Sequence, residues 1–199
     1  MRETVTADAL RGWRTFVAIS LPEDVQQEVV QRLAALRSDE PSTRWVAAPN
    51  LHLTLLFLGD TEPAAVPEIV EQLRAVAAAQ PPFAIELAGA GTFGRPRHPG
   101  TLWLGLARGA AEAEALSAAL ADRLGQAGDD SGRRSGEGRW RPHLTLARRA
   151  PAALRERVDR ALGGRPAIGW WVQELSFYRS HLGNEAPIYA ELAKVPLGG

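Results

Sequence analysis

The tetrapeptide His-Leu-Thr-Leu occurs twice in this chain, within RWVAAPNLHLTLLFLGD at residues 44–60 and within RWRPHLTLAR at residues 139–148. Each copy lies in a short apolar run of the kind that forms a β-strand. Side chains alternate along a strand, so the histidine and threonine share one face and the leucines take the other. The repeat predicts two similar lobes, with leucines in the core and the pairs His52–Thr54 and His143–Thr145 facing a common cleft.

The segments around the two copies alternate between β-prone runs and amphipathic helical periods. The predicted strands are Thr15–Ser20, Arg44–Val46, Leu51–Leu58, Phe83–Phe93, Thr101–Ala107, a strand at His143, Trp170–Ser180 and Pro187–Val195. The predicted helices are Glu23–Arg37, Pro63–Ala79, Ala110–Gly125 and Pro151–Leu162. Strands come in adjacent pairs more often than in βαβ alternation, which favours an α+β fold with antiparallel sheets backed by helices.

Composition limits the class of protein. The chain has 199 residues, 45% of them hydrophobic, and no cysteine, which excludes disulfides, thiolate metal sites and a cysteine nucleophile. No apolar run is long enough to cross a bilayer, and the first residues lack the apolar core of a secretory signal. We therefore expect a cytoplasmic protein, a single bilobal domain over residues 1–199, with about the first 12 residues as a flexible or loosely packed extension.

Positive and negative charges balance, with 23 basic and 23 acidic residues. This balance argues against a protein that coats nucleic acid by bulk electrostatics. Between Ser131 and Arg149, however, six arginines accompany a single acid, Glu137, and a guanidinium is well suited to grip one phosphate. The stretch Gly128–Gly138 (GDDSGRRSGEG) is predicted to be a flexible loop.

Two facing imidazoles indicate general acid and general base catalysis near neutral pH. In phosphoryl transfer the attacking and leaving oxygens lie roughly in line, so one ring on each side of phosphorus suits the reaction. Threonine hydroxyls one strand-step away could donate to the non-bridging oxygens. Two histidines fall short of the three protein ligands usual for zinc, so no metal or other cofactor is expected. His98 and His181 are interpreted as surface residues.

The paired HxTx motifs resemble those of the two-histidine (2H) phosphoesterase superfamily, and their flanks are similar to its RNA 2′,3′-cyclic phosphodiesterase branch, the 2′-5′ RNA ligase-like proteins. The similarity runs from about Trp13 to Leu197 and includes FVAISLP, FGRPRHPGTLWLGL and FYRSHLGNEAPIYAEL. It implies a bilobal α+β fold with the active site between pseudo-symmetric lobes. It also implies metal-independent hydrolysis of an RNA 2′,3′-cyclic phosphate to a 2′-phosphomonoester.

The resemblance also implies roles for individual residues. His52 would protonate the departing 3′-oxygen, His143 would activate water, and Thr54 and Thr145 would bind phosphate oxygens. Three further positions could line the substrate pocket: Arg148, Tyr178 and Arg179. The expected partners are RNA ends or small cyclic nucleotides, with no obligate protein partner and a monomeric enzyme. The sequence leaves open 2′-5′ RNA ligation, hydrolysis of small cyclic phosphates, and non-catalytic binding of RNA ends.

Overall fold

The computed structural model describes residues 12–94, 98–125, 140–162, 166–181 and 187–198. The strands are Trp13–Ser20 (β1), Arg44–Trp45 (β2), His52–Thr61 (β3), Phe83–Phe93 (β4), Gly100–Arg108 (β5), Leu144–Ala150 (β6), Gly169–Val172 (β7), Glu174–His181 (β8) and Ile188–Pro196 (β9). The helices are Glu23–Arg32 (α1), Ala34–Asp39 (α2), Val66–Ala78 (α3), Ala110–Leu124 (α4) and Leu154–Leu162 (α5). The predicted Gly128–Gly138 loop and nearly all of the predicted N-terminal extension lie outside the described residues.

The strands form two antiparallel sheets, which confirms the predicted α+β class. The first sheet has the order β3-β1-β8-β9 and the second has the order β2-β6-β5-β4-β7. One copy of the repeated motif lies in each sheet, in β3 and at the start of β6. The sheets are not consecutive halves of the chain, because β2 joins the second sheet while β8 and β9 return to the first.

Helices cover the leucine-bearing side of the sheets. Helix α3 packs against α4 and β9, α4 contacts both β3 and β5, and α5 packs on β4. Since α4 contacts one strand of each sheet, a single hydrophobic core continues from one lobe into the other. The motif leucines Leu53, Leu55, Leu144 and Leu146 are all buried in that core, as the strand alternation predicts. Among the described residues, no helix is both long and apolar enough to span a membrane.

Two predicted elements are wrong in extent. The single helix predicted over Glu23–Arg37 is two helices that meet at Leu33, and no glycine or proline marks the break. The single strand predicted over Trp170–Ser180 is two strands: β7 pairs with β4 in the second sheet, whereas β8 pairs with β1 and β9 in the first. Val172 and Leu175 are both buried, although residues three apart in a single strand would face opposite sides of the sheet. Both can be buried because they pack in different sheets.

Candidate active site

The two histidine rings are anchored in the same way. Nδ1 of His52 lies 2.8 Å from the carbonyl oxygen of Asn50, and Nδ1 of His143 lies 2.8 Å from the carbonyl oxygen of Arg141. A carbonyl only accepts, so Nδ1–H donates in both contacts, and in each neutral ring the lone pair is on Nε2. Each motif therefore fixes the tautomer of its histidine through the backbone two residues earlier and leaves Nε2 for chemistry.

A β-bulge follows the threonine in both motifs, at the same distance from the histidine. In β3, Thr54 pairs with Ala18 and Leu56 pairs with Val17, which leaves Leu55 as the extra residue. In β6, Thr145 pairs with Trp103 and Ala147 pairs with Leu102, which leaves Leu146 as the extra residue. An extra residue reverses the alternation of side chains beyond it, so position +5 from each histidine returns to the histidine face of its sheet.

The carbonyl of each extra residue is satisfied, although by different donors. The Leu146 carbonyl accepts a 2.9 Å bond from the backbone N–H of Val46, just beyond β2. Strand β3 is an edge strand with no such neighbour, and the Leu55 carbonyl instead accepts a buried 2.7 Å bond from the hydroxyl of Ser117 in α4. Buried carbonyls need a partner, so both bulges are stable features of the fold.

Position +5 is Phe57 in the first motif and Arg148 in the second. Strict alternation would place His143 and Arg148 on opposite faces, because five is an odd number of residues. The bulge at Leu146 reverses that order and places the Arg148 side chain on the same face as His143 and Thr145. The equivalent Phe57 packs on Phe16, with ring centroids 5.8 Å apart, beside His52.

Electrostatic effects on His52 indicate that groups from both sheets converge. Burial of the ring lowers the pKa of His52 to about 4, and the hydrogen bond to Asn50 opposes that change. The positive charges of Arg148 and His143 lower this pKa further. His52 is in the first sheet, Arg148 is in β6 of the second sheet and His143 immediately precedes β6, so side chains from both sheets lie close enough to the His52 ring to affect its pKa.

Aromatic side chains surround His52. The Phe16 ring centroid lies 5.0 Å from the imidazole, and the Tyr189 ring meets the imidazole edge-on at 5.2 Å. Burial raises the pKa of Tyr189, and the charge of Arg148 acts against this rise, which places Arg148 near this tyrosine as well. Oγ1 of Thr54 lies 3.0 Å from Nε2 of His52, so the threonine that is predicted to bind phosphate contacts the histidine itself.

His143 also packs on aromatic rings, which come from the second sheet. The Phe93 ring is edge-on to the imidazole at 4.9 Å, and the Trp103 ring centroid is 6.1 Å away. Burial lowers the pKa of His143, and its hydrogen bond to Arg141 acts in the opposite direction. The Trp103 indole lies directly over Gly91, where an added Cβ would be 2.1 Å from the indole ring. Gly91 therefore makes room for the wall beside His143.

The other predicted pocket residues lie on opposite faces of the first sheet. The hydroxyl of Tyr178 is 2.7 Å from Oγ of Ser20, and its ring stacks on Phe16 at 5.3 Å, next to His52. Arg179 is the next residue in β8, so its side chain is on the other face, where the guanidinium lies 4.2 Å from the Trp13 ring centroid. The structure thus brings Tyr178 to the histidine cluster but does not bring Arg179 there.

Sequence reasoning did not select the aromatic residues Phe16, Phe93, Trp103 and Tyr189 as part of this site. Phe16 and Tyr189 belong to the segments FVAISLP and PIYAEL, but nothing in the sequence indicates that their rings meet at His52. His98 and His181 are exposed, as expected. Within the described ranges, no group of three or more His, Cys, Asp or Glu side chains is placed to hold a metal ion.

One histidine lies in β3 of the first sheet and the other immediately precedes β6 of the second, both anchored through Nδ1, and comparison with known proteins identifies the family. The family model of the 2′-5′ RNA ligase superfamily matches residues 21–184, so the chain belongs to that superfamily.

Curated relatives and solved structures agree with this assignment. A protein of Thermus thermophilus named RNA 2′,3′-cyclic phosphodiesterase is 35% identical over 198 residues, covering 94% of this chain and 91% of the relative. A protein of the same name from Geobacillus stearothermophilus is 31% identical over 92% of this chain, which spans only 57% of that relative's length. The crystal structure of Escherichia coli LigT complexed with 3′-AMP has a TM-score of 0.70 and 26% identity, covering 94% of this chain and 99% of LigT.

Proposed function

We propose that this chain hydrolyses the 2′,3′-cyclic phosphate end of RNA to a 2′-phosphomonoester, with His52 and His143 as the acid and base. The observation that carries this proposal is the convergence of two identically anchored imidazoles and Arg148 from two different sheets. The names of the relatives favour the cyclic phosphate of RNA as the substrate.

In the proposed reaction, water attacks phosphorus while Nε2 of neutral His143 takes a proton from it. The bond between phosphorus and the 3′-oxygen breaks, and Nε2–H of protonated His52 delivers a proton to that oxygen. The product carries a 2′-phosphate and a free 3′-hydroxyl. His143 ends the cycle protonated and His52 ends it neutral, so one proton must return through solvent. Thr54, Thr145 and Arg148 would bind the non-bridging oxygens.

The proposed acid must gain its proton when the substrate binds. A pKa of about 4 leaves His52 neutral in the free protein at neutral pH. An anionic phosphate beside the ring favours the imidazolium and offsets the repulsion from Arg148, so substrate binding raises this pKa. When Nε2 becomes protonated it no longer accepts from Thr54, whose hydroxyl is then free to donate to the phosphate.

Product identification tests the proposed function. The protein is incubated with nucleoside 2′,3′-cyclic phosphates and with short RNAs that end in a 2′,3′-cyclic phosphate, and the phosphomonoester formed is identified. We expect 2′-phosphate products and no effect of a metal chelator. Formation of 3′-phosphates, or inhibition by the chelator, contradicts the mechanism. The variant His98→Ala is the matched control, because it removes an exposed histidine that lies between β4 and β5.

The profile of kcat/KM against pH gives a second test, because it reports the free enzyme. One histidine must be charged and the other neutral, so the profile is bell-shaped. Both pKa values are lowered in the substrate-free protein, so we expect the maximum below pH 6.5. A maximum above pH 7 would contradict the assignment of the two histidines as acid and base.

Ligation to a 2′-5′ linkage is the second candidate function, and the family description favours it. It uses the same histidines in the same roles: His143 takes the proton of a 5′-hydroxyl that replaces water, and His52 protonates the departing 3′-oxygen. Adding an RNA with a 5′-hydroxyl to the same assay measures it, and we expect hydrolysis to exceed ligation in dilute solution. We further propose that the enzyme is cytoplasmic and monomeric. For a monomer, light scattering on the purified chain should give a mass of about 21.5 kDa.

A further inference from the structure

We propose that Arg44 forms, beside Arg148, a second phosphate site that holds the phosphodiester next to the reacting end of an RNA chain. The inference rests on the proposed function and specifies its substrate class as an oligoribonucleotide. Arg44 was not a predicted site residue. It lies in the two-residue strand β2, at the edge of the second sheet.

The register of the second sheet places the two arginines side by side. Arg44 pairs directly with Arg148 across the antiparallel strands β2 and β6, and Trp45 pairs with Ala147. Directly opposed residues point to the same face of a sheet. The bulge at Leu146 turns Arg148 to the histidine face, so Arg44 is on the histidine face too. Trp45 is then on the core side, where it packs against the hydrophobic cluster.

Among the described residues, no acid is paired with either of these arginines. Both arginines are exposed, and over residues 12–94, 98–125, 140–162, 166–181 and 187–198 neither forms an ion pair. The guanidinium of Arg157, by contrast, contacts both Asp39 and Glu40. Like charges directly opposite each other destabilise a strand pair, and an anion bound between them removes that cost. The pairing therefore suits a site that is occupied by phosphate.

The two arginines differ in their distance from the reaction centre. The charge of Arg148 reaches His52 and Tyr189, whereas Arg44 lies one strand farther out, about 5 Å away. With the cyclic phosphate held between the histidines and Arg148, Arg44 is placed to hold an anion farther along the same chain. A mononucleotide has no phosphodiester there, so only a longer substrate can use this contact.

The test compares two substrates in the variant Arg44→Gln. The first substrate is adenosine 2′,3′-cyclic phosphate, and the second is a pentaribonucleotide that ends in the same group. We expect kcat/KM to fall about tenfold for the pentanucleotide, the loss of one charged phosphate contact, and to stay unchanged for the mononucleotide. For the pentanucleotide alone, the slope of log kcat/KM against log salt concentration should also decrease, by about the amount expected for the loss of one phosphate contact.

The variant Arg108→Gln is the matched control, because Arg108 is an exposed arginine of the same sheet that already lies 3.9 Å from Glu86. It should leave both substrates unchanged. An equal loss for both substrates in Arg44→Gln means that Arg44 binds the reacting phosphate, and overturns the proposal. No loss for either substrate overturns it as well.

A binding assay separates this proposal from the proposed function. The probe is a fluorescent pentaribonucleotide whose last residue is a 2′-deoxynucleotide with a 3′-phosphate, which cannot form or present a cyclic ester. Arg44→Gln should weaken its binding about tenfold even if the protein hydrolyses nothing. Unchanged binding together with normal hydrolysis by the unmodified chain would refute the second phosphate site alone.

Discussion

The two copies of His-Leu-Thr-Leu have the same local backbone and different surroundings. In both copies, Nδ1–H of the histidine donates to the backbone carbonyl two residues earlier, and a β-bulge lies three residues after the histidine. The first copy then presents Phe57 beside an aromatic pocket, and the second presents Arg148. The shared backbone fixes which ring nitrogen is available. The difference at position +5 makes one side of the site apolar and the other cationic.

Removing either histidine is expected to have the largest effect. His52→Ala and His143→Ala should each lower kcat on the order of 10³-fold, because each removes one proton-transfer group. Circular dichroism should show an intact fold, and His98→Ala should retain full activity. An aryl phosphodiester with a good leaving group needs no protonation of that group, so His52→Ala should retain more activity toward it than His143→Ala. If His143→Ala instead retained more activity than His52→Ala, His143 would be the acid and His52 the base.

Replacing Arg148, the residue at position +5 of the second copy, tests the cationic side of the site. Arg148→Gln should lower kcat/KM by roughly 100-fold, since it removes a charged donor to the phosphate. It should also raise the pKa of His52, because the charge of Arg148 disfavours the imidazolium, and an NMR titration of the ring measures this change. Phe57→Leu keeps an apolar group at the equivalent position and should change kcat/KM much less. Equal losses in the two variants would contradict the distinction.

Ser117→Ala tests the bulge of the first copy alone. The change leaves the buried carbonyl of Leu55 without a partner, so the free energy of unfolding should fall by about 1–3 kcal/mol. Denaturant titration measures it, with the exposed Asp122→Ala on the same helix as the control. The second copy has no equivalent side chain to delete, because Val46 supplies a backbone N–H. A stability equal to that of the unmodified chain would show that Ser117 does not stabilise the bulge.

The smallest expected effect concerns the aromatic wall of His52. Tyr189→Ala exposes the imidazole to water, and because burial lowers the pKa of His52, the pKa should rise from about 4 toward its ordinary value. We expect a rise of roughly one unit or less in the NMR titration, because Phe16 still covers the ring. Tyr189→Phe keeps the ring contact and should leave the pKa unchanged. A similar rise in the phenylalanine variant would mean that the hydroxyl, rather than the ring, sets the pKa.

The local sequence pattern predicted most of the strands and helices. The prediction was wrong where the same pattern continued past a point at which tertiary contacts divide one predicted element into two. The Leu53 and Leu144 positions are buried as alternation predicts, and the strands and helices lie close to their expected places. The strand predicted over Trp170–Ser180 failed because both of its parts are β-prone, and only partner strands decide that the chain changes sheets near Gln173.

The repeated motif could be recognised from the sequence alone, whereas the surroundings of its two histidines could not be predicted in full. Tyr178 and Arg179 are adjacent in sequence, but alternation in β8 sends them to opposite faces of the sheet. The sequence gives no sign that β9 would bring Tyr189 to His52, since that contact depends on the return of the C-terminal strands to the first sheet. Whether Thr54 and Thr145 bind phosphate stays a prediction.

The sequence by itself determined the pairing of histidine with threonine, the burial of the intervening leucines, and the repetition of this unit in two sheets. These features follow from strand alternation, which extends over only a few residues. Tertiary structure alone decided which face Arg148 occupies, that Arg44 stands opposite it, and which rings surround each imidazole. These depend on bulges and strand order, and both are set by partners that lie far away in the chain.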